Sequence, residues 1–173
     1  MKANQNKGFS YIEMLMVLAI MAIMIGMITI SIGTVKRNTA LRASEKLETL
    51  VNKARVNALT KGTAHGYVNV ALYEGAYYAY VGERVPADLD NDGSLESRKY
   101  VKEHGDKICN ENATIYFNGL VKNNVNHIQF KQATGGLVGT SDTISVVCGN
   151  TSSVFRIKPQ TGKTYRHEEE EEE

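Results

Sequence analysis

Between Met14 and Val35 the chain carries no charged residue. The run reads MLMVLAIMAIMIGMITISIGTV, 22 residues that are apolar on every side. As a helix rising ~1.5 Å per residue it would extend about 33 Å, enough to cross a hydrocarbon core of ~30 Å. Two other readings compete. A buried helix of a soluble protein fits poorly, because the run lies beside the terminus and has no polar face. A secretory signal peptide needs a shorter apolar region followed by a small-x-small cleavage site. Here the run passes into Thr34-Val35-Lys36-Arg37 without one.

Glu13 does not fit a plain anchor. It stands at the opening of the run, where a carboxylate is costly unless it finds a partner or snorkels to the headgroups. Before it come Lys7-Gly8-Phe9-Ser10-Tyr11-Ile12. A short basic leader, a glycine, then Phe-x-x-x-Glu opening a long apolar helix resembles the type III signal of type IV prepilins. The resemblance implies that a membrane peptidase cuts after Gly8 and that the new amino terminus, Phe9, is methylated. Cutting there frees an ammonium at the membrane boundary. In a growing filament that cation would pair with Glu13 of a neighbouring subunit. Desolvation cancels much of the Coulomb gain, so the pair's main use would be register. Lys2 and Lys7 on one side nearly balance Lys36 and Arg37 on the other, which leaves charge-based orientation undecided. The family resemblance implies a leader in the cytoplasm and a head outside: a single-pass cytoplasmic membrane protein before assembly, part of a pilus or pseudopilus after it. It also implies as partners the lipid bilayer, other pilin or pseudopilin subunits, the prepilin peptidase and an inner-membrane assembly platform.

Helical periodicity continues past Val35. Ala40, Ala43, Leu47, Leu50, Val51, Ala54 and Ala58 recur at three- and four-residue steps, with Lys46, Glu48, Lys53 and Arg55 between them. Gly62 is a natural stop. One helix is expected over 10–61, its second half amphipathic. From Gly66 onward the signals are those of strands. Tyr67–Tyr73 and Ala76–Val81 flank Glu74-Gly75 and read as a hairpin. Further strands are expected at 113–117, 127–131, 143–148, 153–158 and 163–166. A long helix followed only by strands predicts an α+β fold, with antiparallel sheet laid on the helix. The expected organisation is a leader over 1–8, a transmembrane helix over 9–35, an amphipathic helix over 36–62, a β-rich head over 63–167 and a disordered acidic tail over 168–173.

Two stretches resemble one branch, the H-type pseudopilins and FimT-like minor pilins. The first is Lys53-Ala54-Arg55-Val56-Asn57-Ala58 running to Gly62. The second comprises Ile128-Gln129-Phe130, Gly135-Gly136, Thr143–Val146, Phe155-Arg156-Ile157 and Pro159-Gln160-Thr161-Gly162-Lys163.

Three constellations in the head carry chemistry. Asp88, Asp90 and Asp92 stand at positions one, three and five of a loop with Gly93 at six, which curls hard oxygen ligands round one point as in the first two-thirds of an EF-hand loop. The Ser94 carbonyl and Glu96 could add ligands for calcium. Position twelve is Lys99 rather than Glu, and no flanking helix is expected, so a stand-alone calcium loop competes with an ordinary Asp/Asn turn. Cys109 and Cys148, in a region expected outside the cytoplasm, read either as a disulfide or as two buried thiols. A bridge across that loop would add about 4 kcal/mol in the chain-entropy account. Arg156, Lys158, Lys163 and Arg166, with Tyr165 among them, form a basic cluster. Some FimT-like pilins bind DNA near this point through Gly followed by Arg, and Gly162-Lys163-Thr164-Tyr165-Arg166 approximates that pattern. DNA contact by phosphate pairing and stacking competes with a solvated, charge-protected strand edge.

Composition agrees with a mildly basic folded part. The net charge of +1 includes the terminal Glu168–Glu173 run, which would compete for the cations of that cluster. His65, His104, His127 and His167 are scattered, and the two cysteines form no C-x-x-C pair, so a zinc site has no support. No nucleophile motif, phosphate loop or paired acid and base points to an enzyme.

Overall fold

The computed structural model describes residues 10–85, 95–121 and 125–166, and at positions 26–33 the backbone alone. The chain divides into two compact units, Met1–Val35 and Lys36–Glu173. Helix α1, Tyr11–Lys61, supplies residues to both.

In the first unit every described side chain from Ser10 to Ile25 is exposed, the large apolar ones by 45–80%. Among the described residues no helix is long and apolar enough to cross a membrane. The expected span runs through positions 26–33, whose side chains lie outside the described set.

In the second unit the stripe predicted from periodicity is the buried face. Ala40, Ala43, Leu47, Leu50, Val51, Ala54 and Ala58 are all under a tenth exposed. Four alanines keep this face narrow, which lets sheet backbone approach the helix closely. Gly66 marks the closest approach: a Cβ there would stand 2.4 Å from that of Ala58. α1 stops at Gly62, whose φ of +102° few other residues adopt.

Two antiparallel sheets complete the head. The larger has strand order β3-β2-β1-β5-β6, built from β1 (Tyr67–Tyr73), β2 (Ala76–Gly82), β3 (Asp106–Asn110), β5 (Asn126–Phe130) and β6 (Leu137–Val138). The smaller has order β4-β7-β8-β9, from β4 (Thr114–Phe117), β7 (Thr143–Cys148), β8 (Thr151–Ile157) and β9 (Thr164–Tyr165). The β1–β2 hairpin turns on Glu74 and Gly75, both with positive φ, as a two-residue hairpin of matching twist requires. Val68, Val70, Ile128 and Phe130 from the larger sheet and Ile115, Ile144, Val146 and Phe155 from the smaller join the α1 stripe in one core. Burying each of these larger side chains stabilises the fold by roughly 2 kcal/mol.

The head is not helix followed by strands alone. A second helix, α2 (Leu95–His104), packs on the opposite face of β1 and β2 through Val101, against Ala71 and Val85. β1 is therefore covered on both faces, which is why Val68 to Ala71 are buried in succession instead of alternating. The same helix corrects the expectation that no helix flanks the Asp88–Glu96 loop: one begins at Leu95.

Candidate assembly site

Glu13 lies in the first turn of α1. Its carboxylate accepts a hydrogen bond from the Ser10 backbone N–H at 2.9 Å. The Ser10 carbonyl in turn accepts from Met14 N–H. An N-terminal turn leaves donors without helical partners and carries partial positive charge, so a carboxylate three residues in satisfies both. In the single chain Glu13 thus caps its own helix. The sequence offers Glu13 an intersubunit partner or a place among the headgroups, not a cap; the signal for the cap is the Ser10-x-x-Glu13 spacing ahead of an apolar run. Gly8 and Phe9, the predicted processing junction, lie outside the described residues.

The stretches that resembled the pseudopilin branch meet at the carboxyl end of α1. Arg55 Nε donates to the Thr161 carbonyl at 2.6 Å. The Gly135-Gly136 turn lies against the Pro159–Gly162 turn so closely that a Cβ on Gly136 would reach 2.6 Å from the Gln160 carbonyl oxygen. A Cβ on Gly162 would stand 1.9 Å from the Gly135 carbonyl oxygen and 3.0 Å from the Phe130 ring. Both turns therefore need glycine for room, and Gly162 also for its φ of +64°.

The basic cluster is divided. Arg166 belongs to α1: its Nε and one terminal nitrogen each lie 3.0 Å from Glu48 Oε2, and its other terminal nitrogen 3.9 Å from Glu45. Thr164 Oγ1 donates to Glu48 Oε1 at 2.9 Å and accepts from Asn52 Nδ2 at 3.1 Å, so β9 is stitched to the helix. Arg156, Lys158 and Lys163 are exposed. Lys158 Nζ sits 5.6 Å from the centre of the Tyr165 ring, and Arg156 pairs with Tyr165 across β8 and β9.

Cys109 on β3 and Cys148 on β7 are both buried and both thiols in this structure. Burial, reinforced by Cys148 and opposed by Lys107, pushes the Cys109 thiol up to about 11. Of the predicted calcium ligands, Glu96 is exposed in the first turn of α2, while Asp88, Asp90, Asp92 and Ser94 lie outside the described residues. Among the described residues no group of three or more His, Cys, Asp or Glu could hold a metal. Of the histidines, His65 lies 3.5 Å from Glu83, His104 stacks on Tyr100, and His127 Nδ1 is 2.7 Å from Asn69 Oδ1. His167 lies outside the described residues.

Residues 3–34 match the family model described as the prokaryotic N-terminal methylation motif. Neither the curated proteins nor the solved structures yield a match. The motif supports a type IV pilin-like chain with a prepilin signal, a structural subunit type rather than an enzyme. It covers the amino-terminal segment alone and does not reach the head.

Proposed function

We propose that this chain is a structural subunit, a minor pilin or pseudopilin, of a type IV pilus or type II secretion-type filament. Prepilin peptidase would process it, and it would assemble through its N-terminal helix. The observation that carries this reading is Gly8-Phe9 followed by Glu13 and the uncharged run, inside the segment that matches the methylation motif. The exposure of the large apolar side chains between Tyr11 and Ile25 supports it, since within the described part of their own unit nothing buries them. A bilayer before assembly and neighbouring helices after it would remove them from water. The topology proposed is a single pass, leader inside and head outside. Within this scheme Glu13 has two states. It caps its own helix in the lone subunit, then turns to the Phe9 ammonium of a neighbour.

Membership of the H-type pseudopilin or FimT-like branch is proposed from the convergence of Arg55, Gly135-Gly136 and Pro159–Gly162. A DNA-binding competence pilin is the weaker alternative, because Glu48 and Glu45 neutralise Arg166 and leave Arg156, Lys158 and Lys163. Outside the cytoplasm, closure of Cys109 and Cys148 into a disulfide is proposed from their shared place in the core. Calcium is proposed for Asp88, Asp90, Asp92, the Ser94 carbonyl and Glu96 from the carboxylate spacing.

Intact-mass measurement of protein extracted from the membranes of its native host tests the main reading. The expected mature chain lacks residues 1–8 and carries one added methyl group. A mature chain that retains Met1 overturns it.

A further inference from the structure

A groove of about 440 Å³ lies between α1 and β3, lined by Thr39, Arg42 and Lys46 on the helix and Lys107, Cys109 and Asn110 on the strand. Ala43 and Ile108 complete the lining, and three of the eight side chains are cations. Among the described residues none of the three forms an ion pair with a carboxylate; the five ion pairs of the head lie elsewhere. Lys46 Nζ donates to the Lys107 carbonyl oxygen at 2.5 Å, which fixes that ammonium at the groove and leaves its other protons free. Cys109 adds no negative charge, either as a thiol whose pKa burial pushes up to about 11 or in the proposed disulfide with Cys148. Like charges gathered round one concavity repel one another unless an anion lies among them. What sets these three apart from other cations of the head is that they line one groove, not that they lack a carboxylate partner.

We propose that this groove binds the phosphate of a lipid headgroup, with Arg42 and Lys107 as direct contacts and Lys46 as a fixed third donor. The inference rests on the membrane-anchored reading above. A free phosphate would suit the same donors; position in the chain favours the lipid. Arg42 follows the end of the uncharged run at Val35 by seven residues, about 10 Å of helix. The headgroup layer extends roughly 5–8 Å beyond the hydrocarbon core on each side, and an arginine stem covers the remainder. Lys36 and Arg37 lie between and add to the attraction without belonging to the groove.

The test uses the full chain in detergent micelles, with native mass spectrometry counting retained lipid. Phosphatidylglycerol and phosphatidylcholine of equal acyl length are compared in the wild type, in R42Q/K107Q and in K36Q/R37Q. Circular dichroism confirms that both variants fold; all four side chains reach solvent, so neither pair opens the core. The wild type is expected to retain phosphatidylglycerol in preference to phosphatidylcholine. R42Q/K107Q is expected to weaken that retention about tenfold or more, and K36Q/R37Q by clearly less. Equal loss in the two variants would reduce the effect to general attraction and overturn the groove. Amide shifts at Lys107 to Asn110 with sodium phosphate alone, at concentrations where lipid adds nothing, would assign a soluble phosphate ligand instead. A chain correctly processed at Gly8 whose lipid retention ignores R42Q/K107Q would remove the groove and leave the filament reading standing. An unprocessed chain that still retains lipid through Arg42 and Lys107 would do the reverse.

Discussion

The two proposed states of Glu13 are separable by substitution. Glu13→Val removes both the cap on Ser10 and the carboxylate; it should enter the membrane normally, being more apolar, and incorporate poorly into filaments. Glu13→Gln keeps an acceptor for the Ser10 N–H, as glutamine serves in a capping box, but cannot neutralise an ammonium. If charge pairing governs assembly, Gln should incorporate almost as poorly as Val. Filament incorporation of Gln near the wild-type level would reduce Glu13 to a helix cap. Gly162 presents a plainer case. Alanine there meets the Gly135 carbonyl at 1.9 Å, the Phe130 ring at 3.0 Å and a φ of +64°, so Gly162→Ala should destabilise the head by about 3 kcal/mol or more. Gly139 also has positive φ but nothing within 4 Å, so Gly139→Ala should cost only about 1 kcal/mol. Comparable midpoints for the two variants in a urea titration would dismiss the steric account.

Among the elements, Asn69 holds more than its own strand. Fully buried on β1, it donates to the Tyr80 and Glu83 carbonyls and accepts from Val85 N–H, which ties the segment after β2 back onto the sheet. Asn69→Ala strands those groups and should cost roughly 2–3 kcal/mol, read as a fall of about 8 °C in Tm. That segment leads through the carboxylate loop to α2, so occupancy of the loop should also register in the melt. Calcium is expected to raise Tm and chelator to lower it, by mass action on a site the unfolded chain lacks, with Asp90→Ala abolishing the difference. Identical melts with and without calcium would leave a plain turn. The elements differ in how far sequence disclosed them. The α1 stripe and the β1–β2 hairpin were legible because periodicity and a Glu-Gly turn speak locally, and β7 was placed at its observed bounds. α2 was hidden because only Ser97 and Val101 are buried in a helix that is mostly charged, and its first residues follow an Asp-rich stretch of sequence. β3 was hidden because its pairing shifts at Tyr77 and Tyr78, which breaks alternation, and β6 because it has two residues. The site divides likewise: Glu13 announced itself by its place, whereas the Arg166–Glu48 pair joins residues 118 apart and no local pattern foretells it.

At the scale of the molecule, the described core belongs to one unit. Among the described residues every buried one lies at Ala40 or beyond, and no side chain from Ser10 to Ile25 is covered. Folding free energy should therefore reside in Lys36–Glu173, with the preceding segment contributing to membrane residence and assembly instead. A fragment over 36–173 is expected to stay in solution, to melt in one cooperative transition and to match the head transition of the detergent-solubilised full chain within a few degrees. Its first turn is already engaged, since Lys36 lies against the β7–β8 turn at Gly149. Starting the fragment at Glu48 tests the same idea from the other side. It would delete Ala40, Ala43 and Leu47, three members of the helix stripe, and open the core they share with both sheets. Loss of Leu47 alone costs about 2–5 kcal/mol, a large part of the 5–15 kcal/mol that holds such a domain together. The shorter fragment should then lose near-UV dichroism and bind hydrophobic dye while keeping strand content. Cooperative melting of both fragments would show that the helix stripe adds little to the head; failure of both would mean that the uncharged segment takes part in folding it.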